Sequence, residues 1–204
     1  MKSKQWRQAE AHLSNDPVLK QIIQNYPGGY LKSRGTAFET LIRSIVGQQI
    51  SVKAAASVWQ KLILQIQHAT PESLAKHSVQ QLRACGLSER KVSYCLDLAN
   101  HFIAGTVSAK HWPTMTDEEV IAELIQVRGI GRWTAEMFLI FHLERMDVLP
   151  VDDLGLQKAV SKLYKKRYPM SAKTLQKVAK PWSPYRSVAT WYLWRSLDPI
   201  PVEY

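Results

Sequence analysis

The sequence predicts a nearly all-α protein, and three observations carry that expectation. Apolar residues recur at helical spacings along most of the 204 residues. Ser, Thr or Asp stands before many of these periodic segments, where a side-chain oxygen can accept the open N–H groups of a first turn. No segment shows alternating strand residues flanked by hairpin turns.

Residues 4–25 read as one helix that ends before the turn signal Pro27-Gly28-Gly29. A second helix covers Ala37 to Val46, with Phe38, Leu41, Ile42 and Ile45 as its apolar stripe. Gly47-Gln48-Gln49-Ile50 breaks it, and Ser51 caps a helix carrying Ala54, Val58, Trp59 and Leu62. Thr70, with Pro71 at the first helical position, opens a short helix that reaches Cys85 and stops at Gly86. Ser88 starts another, running toward Phe102. Thr116 and Glu119 form a capping box before Val120, Ile121, Leu124 and Ile125. A glycine turn follows, and the next helix carries Trp133, Met137, Phe138, Ile140 and Phe141. Asp152 is placed to cap a helix containing Leu156, Val160 and Leu163, and Ser171 to cap one ending near Pro181. Ser183-Pro184 starts the last, with Val188, Trp191, Tyr192 and Trp194 at helical spacings.

A net charge of +10 favours a polyanionic partner without saying which: DNA, RNA and an acidic membrane fit equally. Two cysteines, Cys85 and Cys95, make neither a disulfide framework nor a Cys-rich metal or cluster site, and are expected as reduced thiols in buried or half-buried helical positions. No signal peptide and no apolar run approaching 18 residues is present, so the expectation is an intracellular protein, cytoplasmic in a bacterium, with no membrane partner.

The most specific stretch is Val127-Arg128-Gly129-Ile130-Gly131-Arg132-Trp133-Thr134-Ala135. Gly129 and Gly131 allow positive φ and close backbone approach, and the helix begins at once. The N–H groups of its first turn, with the helix dipole, suit a phosphate. Arg132 adds a salt-sensitive contact and Thr134 a hydroxyl. Such contacts read the DNA backbone, not the bases. A lone GxG would equally describe an ordinary helix corner.

The next signal is a pair of acids, Asp152 and Asp153, at the edge of a basic field. Between Leu154 and Leu197 lie Lys158, Lys162, Lys165, Lys166, Arg167, Lys173, Lys177, Lys180, Arg186 and Arg195, with no Asp or Glu. Adjacent acids rarely share one task, so Asp152 is assigned to capping and Asp153 to chemistry. Both being plain helix-start residues is the bland alternative.

These residues resemble the HhH-GPD DNA glycosylase superfamily. Leu124 to Ala135 looks like its helix-hairpin-helix motif and Val151-Asp152-Asp153 like its catalytic-Asp loop. Gly47-Gln48-Gln49-Ile50-Ser51 and Trp182-Ser183-Pro184-Tyr185-Arg186-Ser187 resemble the AlkA branch, DNA-3-methyladenine glycosylase II, in a compact form without an N-terminal β domain. The resemblance implies two helical lobes, 32–145 and 1–31 with 146–204, and a catalytic Asp153 at their junction.

It further implies a monofunctional enzyme that flips an alkylated purine out of duplex DNA and cuts its N-glycosidic bond. Family bifunctional enzymes carry a lysine where Trp133 stands, so no lyase activity is expected. Two cysteines exclude the iron–sulfur cluster of some relatives. Trp133 and Trp194 align with pocket aromatics, Met137 replaces a tyrosine, and Trp191 and Tyr192 are further pocket candidates. An indole stacked on a cationic purine gains dispersion and cation–π attraction. Trp59 and Trp112 are assigned to core packing.

Gln49, with Gln48 beside it, takes the wedge position that fills the vacated stack. A second turn with Gly86, Ser88 and Lys91, together with Arg186, is expected on the DNA backbone. No cofactor is required, although carbonyls of Ile125, Val127 and Ile130 are candidates for a structural Na⁺ or K⁺. Arg128 stands where the family has proline. The expected partners are alkylated duplex DNA and a separate enzyme that processes the abasic product, the protein itself acting as a monomer. A bifunctional oxidative-damage glycosylase and a non-enzymatic DNA-binding module are the rivals.

Overall fold

The computed structural model describes residues 3–198 apart from Lys32 and Arg34. Those residues form twelve α-helices and no strand, as the periodicity predicts.

Two helices replace the single one expected over 4–25: α1, Lys4–Leu13, and α2, Pro17–Asn25. The Asp16 carboxylate accepts the N–H groups of Val18 and Leu19 at 2.9 and 3.2 Å, and Pro17 occupies the first helical position. A proline inside one continuous helix would have removed a backbone bond and clashed with the preceding turn. Next come α3, Ala37–Gly47, and α4, Val52–Ile66, capped by Thr36 and Ser51. A pair, α5, Pro71–Ala75, and α6, Val79–Ala84, takes the place of one short helix, because Ser78 and Gln81 form a capping box that restarts the chain. Then follow α7, Glu89–Ala104, and α8, Asp117–Leu124, the latter with the expected Thr116–Glu119 box. The remaining helices are α9, Arg132–Phe141, α10, Leu154–Leu163, α11, Ala172–Ala179, and α12, Arg186–Leu197.

The chain divides into two compact units. Of the described residues, one unit holds those from Ser3 to Ser33 and from Leu139 to Asp198; the other holds those from Gly35 to Phe138. Residues 139–145, expected with the central lobe, therefore belong with the termini. The reason is local: Phe141 stacks within 8° of parallel on Trp194 of α12, ring centroids 5.7 Å apart.

The first unit packs α1, α2, α10, α11 and α12 around Trp6, Leu19, Leu156, Val160, Leu175, Trp182 and Tyr192. Trp191 meets Trp6 edge-on at 5.4 Å and lies over Gly29, where any Cβ would strike its ring. The second unit is centred on Leu41, Ile42, Ile45, Leu62, Leu82, Leu98 and Leu124. A chain of edge-on rings, Phe38, Phe102, Trp112 and Phe138, runs through it. Trp112 is core, as expected, and its indole donates to Glu123 at 2.8 Å. Trp59 is half-buried beneath the Arg43 guanidinium, 4.5 Å from the ring centre. Cys85 and Cys95 are buried free thiols, and burial pushes Cys95 up to about 12.

Candidate functional site

Asp153 is the N-cap of α10. Its Oδ1 accepts the N–H of Leu156 at 2.6 Å, which corrects the expectation that Asp152 would cap. The same oxygen accepts the indole N–H of Trp194 at 2.8 Å. Two donors from different helices thus fix the orientation of one buried carboxylate, whereas Asp152 is exposed. Gly155 relieves crowding in this arrangement: a Cβ there would stand 3.1 Å from Asp153 Oδ1 and 3.3 Å from Trp194 Cδ1. Glycine in the first turn of a helix is a poor helix former, so Gly155 was a legible cue that the sequence reading passed over. Phe141, which backs the Trp194 ring, was also missed.

Trp191 and Tyr192 are not pocket residues. They are 5% and 0% exposed, and the Tyr192 hydroxyl bonds Glu10 on α1, so both belong to the apolar core. Trp133 is 38% exposed and Met137 buried; both lie in the other unit from Asp153 and Trp194.

The hairpin differs in detail from the glycine expectation. Gly129 has φ +85°, and a Cβ on it would fall on the Tyr94 ring. Gly131 does not use positive φ, and a Cβ there would meet open space. Its role is different. Every helix from α1 to α8 begins on a Ser, Thr or Asp whose side chain accepts a first-turn N–H. At α9 the Gly131 carbonyl accepts from Ala135 at 3.0 Å, placing a residue with no side chain of its own at the cap.

The cations around this turn are engaged within the protein. Arg132 reaches Glu118 through Nη1 and Nη2 at 2.9 and 2.5 Å and Glu136 through Nε at 3.1 Å, and these acids, Glu118 first, hold its guanidinium more basic than usual. The Thr134 side chain is buried. The Thr134 hydroxyl therefore does not present the phosphate contact expected of it, whereas the Arg132 side chain remains half exposed. Arg128 donates its backbone N–H and its Nε to Asp97 at 2.8 and 3.0 Å. Burial works against ionisation of Asp97, but these donors outweigh it and lower its pKa.

In the second turn Gly86 has φ +97° and Ser88 caps α7. Lys91, expected on the DNA backbone, donates to the Val46 carbonyl at 2.7 Å, and desolvation holds its ammonium less basic than usual. Arg186 forms a fork with Asp147 at 2.7 and 2.8 Å, tying the start of α12 to the segment between α9 and α10. Gln48 donates to the Gly129 carbonyl at 2.8 Å and is not a wedge, whereas Gln49 is exposed at φ +57°. The basic field is more open. Lys158, Lys162, Lys165, Lys166, Arg167, Lys173, Lys177 and Lys180 are exposed, while Arg195 sits over the Tyr26 ring at 4.7 Å.

Residues 42–184 match the model of the HhH-GPD superfamily of base excision DNA repair proteins. The chain belongs to that superfamily. It is 34% identical over 196 residues to DNA-3-methyladenine glycosylase 1 of Schizosaccharomyces pombe, covering 92% of this chain and 86% of that one. It is 30% identical to DNA-3-methyladenine glycosylase 2 of Escherichia coli, with 82% of this chain and 60% of that protein aligned. Among solved structures, the S. pombe 3-methyladenine DNA glycosylase in complex with abasic DNA superposes with a TM-score of 0.79 at 34% identity, covering 93% of this chain and 96% of that one. For this HhH-GPD protein, no group of His, Cys, Asp and Glu able to hold a metal ion occurs among the described residues. No helix among them is long and apolar enough to cross a membrane.

Proposed function

We propose that this protein is a monofunctional DNA glycosylase that removes alkylated purines, 3-methyladenine and 7-methylguanine, from duplex DNA in base excision repair. The observation that carries the reading is the Asp153 carboxylate, buried at a helix start and held by two N–H donors beside a stacked indole. Relatives named as 3-methyladenine glycosylases support the substrate class.

Alkylation at N3 or N7 makes the purine a cation and a good leaving group. As the C1′–N bond breaks, its electron pair neutralises the departing base while the deoxyribose gains oxocarbenium character. The Asp153 carboxylate stabilises that charge and accepts the proton of the water that adds at C1′. The Trp194 face favours a cationic base over a neutral one through cation–π attraction. The products are a free base and an abasic site for a separate enzyme. Trp133 supplies no amine, so no Schiff base with the sugar and no strand cleavage follow.

The glycine-capped start of α9 holds a phosphate through its backbone N–H groups, with Gly129 shaping the turn and Gly86 and Ser88 contributing on the second. Gln49 serves as the wedge. The protein works as a monomer inside the cell. The carbonyls at the end of α8 suit a monovalent cation. Ile125 is the C-cap residue, and the Val127 oxygen, although it accepts from Ile130 at 3.1 Å, keeps a second lone pair. Bound there with Ile130, Na⁺ or K⁺ would add positive charge toward a phosphate. The test is incubation with duplexes carrying one defined lesion, measuring released base and strand breaks together. Base release without nicking, abolished by Asp153→Asn, supports the proposal; a borohydride-trapped adduct or undiminished release by the variant overturns it.

A further inference from the structure

One face of α7 holds two loops of the second unit. Lys91, Tyr94 and Asp97 are three residues apart, so helical geometry stacks them along one side. Lys91 donates to the Val46 carbonyl in the last turn of α3, an ammonium placed at the negative end of that helix. The Tyr94 ring fills the space that a side chain on Gly129 would need. Asp97 grips the backbone and side chain of Arg128. Gln48 closes the ring by donating from the end of α3 to the Gly129 carbonyl.

The loop between α3 and α4 and the hairpin turn are thereby tied both to one helix and to each other. Between the two tethered positions, Val46 and Gln48, and the exposed Ile50 lies Gln49, in the left-handed region that a residue with a Cβ occupies only when its surroundings impose it. We infer that Gln48, Lys91 and Asp97 are positioning residues that brace the wedge loop against the hairpin. Gripping the DNA backbone then delivers Gln49 into the stack in a preset conformation. This inference rests on the glycosylase reading for the identity of the wedge.

The test uses the full chain and a duplex with 2-aminopurine beside a tetrahydrofuran abasic analogue, whose fluorescence rises as the stack opens. Gln48→Ala is expected to lower that rise, and base release from a 7-methylguanine duplex, roughly tenfold, with duplex affinity within about twofold. Adding Gln48→Ala to Gln49→Ala should cost nothing further, because the brace acts through the wedge. Multiplying losses in the double variant, or a fully active Gln48→Ala, overturn the inference. Should Gln48→Ala lose its thermal transition, Lys91→Met is read by the same criteria and decides alone. Fluorescence is scored separately from chemistry: wild-type protein that opens the stack but releases no base refutes the glycosylase reading and leaves the brace to stand or fall on its own signal.

Discussion

Around Asp153, N–H donors fix the orientation of a buried acid; around the hairpin, acids engage the cations. Trp194 and Leu156 orient one carboxylate without neutralising it. Asp97, Glu118 and Glu136 do the reverse to Arg128 and Arg132, beside a helix start at which Gly131 stands. On the proposed function, the contrast matches what each region would bind. A phosphate is met by oriented backbone dipoles, which need no long side chain to be ordered, whereas an oxocarbenium sugar needs a full negative charge at one atom. On the same proposal, long-range attraction to DNA would fall to the exposed lysines from Lys158 to Lys180.

The largest effect expected from this contrast is at Asp153. Asp153→Asn should reduce single-turnover base release about 10²–10³-fold. Because Asn still caps a helix, Tm should change little; a comparable drop in duplex affinity would mean that the residue serves folding instead. Trp194→Phe keeps a ring against Phe141 but deletes the donor to Asp153. A loss of roughly tenfold in kcat with KM nearly constant is expected, and a rise in KM alone would assign Trp194 to base binding only.

Salt dependence separates the two classes of cation. Lys173→Ala with Lys177→Ala should flatten the slope of log affinity against log salt by about 0.9 for each phosphate that the variant leaves unneutralised. Arg132→Ala should leave that slope unchanged, since Glu118 and Glu136 already neutralise the guanidinium. The opposite pattern would break the comparison.

The smallest effect concerns the fork at the start of α12. Burial opposes ionisation of Asp147, but the Arg186 and Ser183 donors prevail and hold its carboxyl below the usual range. A depressed folded-state pKa contributes stability above the unfolded value and loses it as pH falls through the folded one. The Tm difference between wild type and Asp147→Asn should therefore be widest near neutrality and shrink below about pH 4. A constant difference across that range would show that the carboxylate charge contributes nothing.

Much of this was legible in local chemistry. Helix starts at Ser51, Thr70, Ser88, Thr116 and Ser171 follow from side chains that bond their own neighbours, and that information lies within four residues. Asp16-Pro17 and Ser78 carried the same kind of signal for the two helix breaks that were read through. The hairpin and Asp153 stand in sequence patterns specific enough to indicate the family.

The partners of charged and aromatic side chains were a different matter. Nothing near Arg132, Lys91 or Arg186 in the sequence distinguishes a cation facing DNA from one held by Glu118, by the Val46 carbonyl or by Asp147. Nor does helical spacing tell that Trp191 faces Trp6 while Trp194, three residues on, turns its indole to Asp153. Residue order alone carries most of the signals for where helices begin and the patterns that mark the family, because capping and turn energetics are local. Which charges remain available is set by the folded chain, because an ion pair or ring contact depends on residues brought together from distant parts of it.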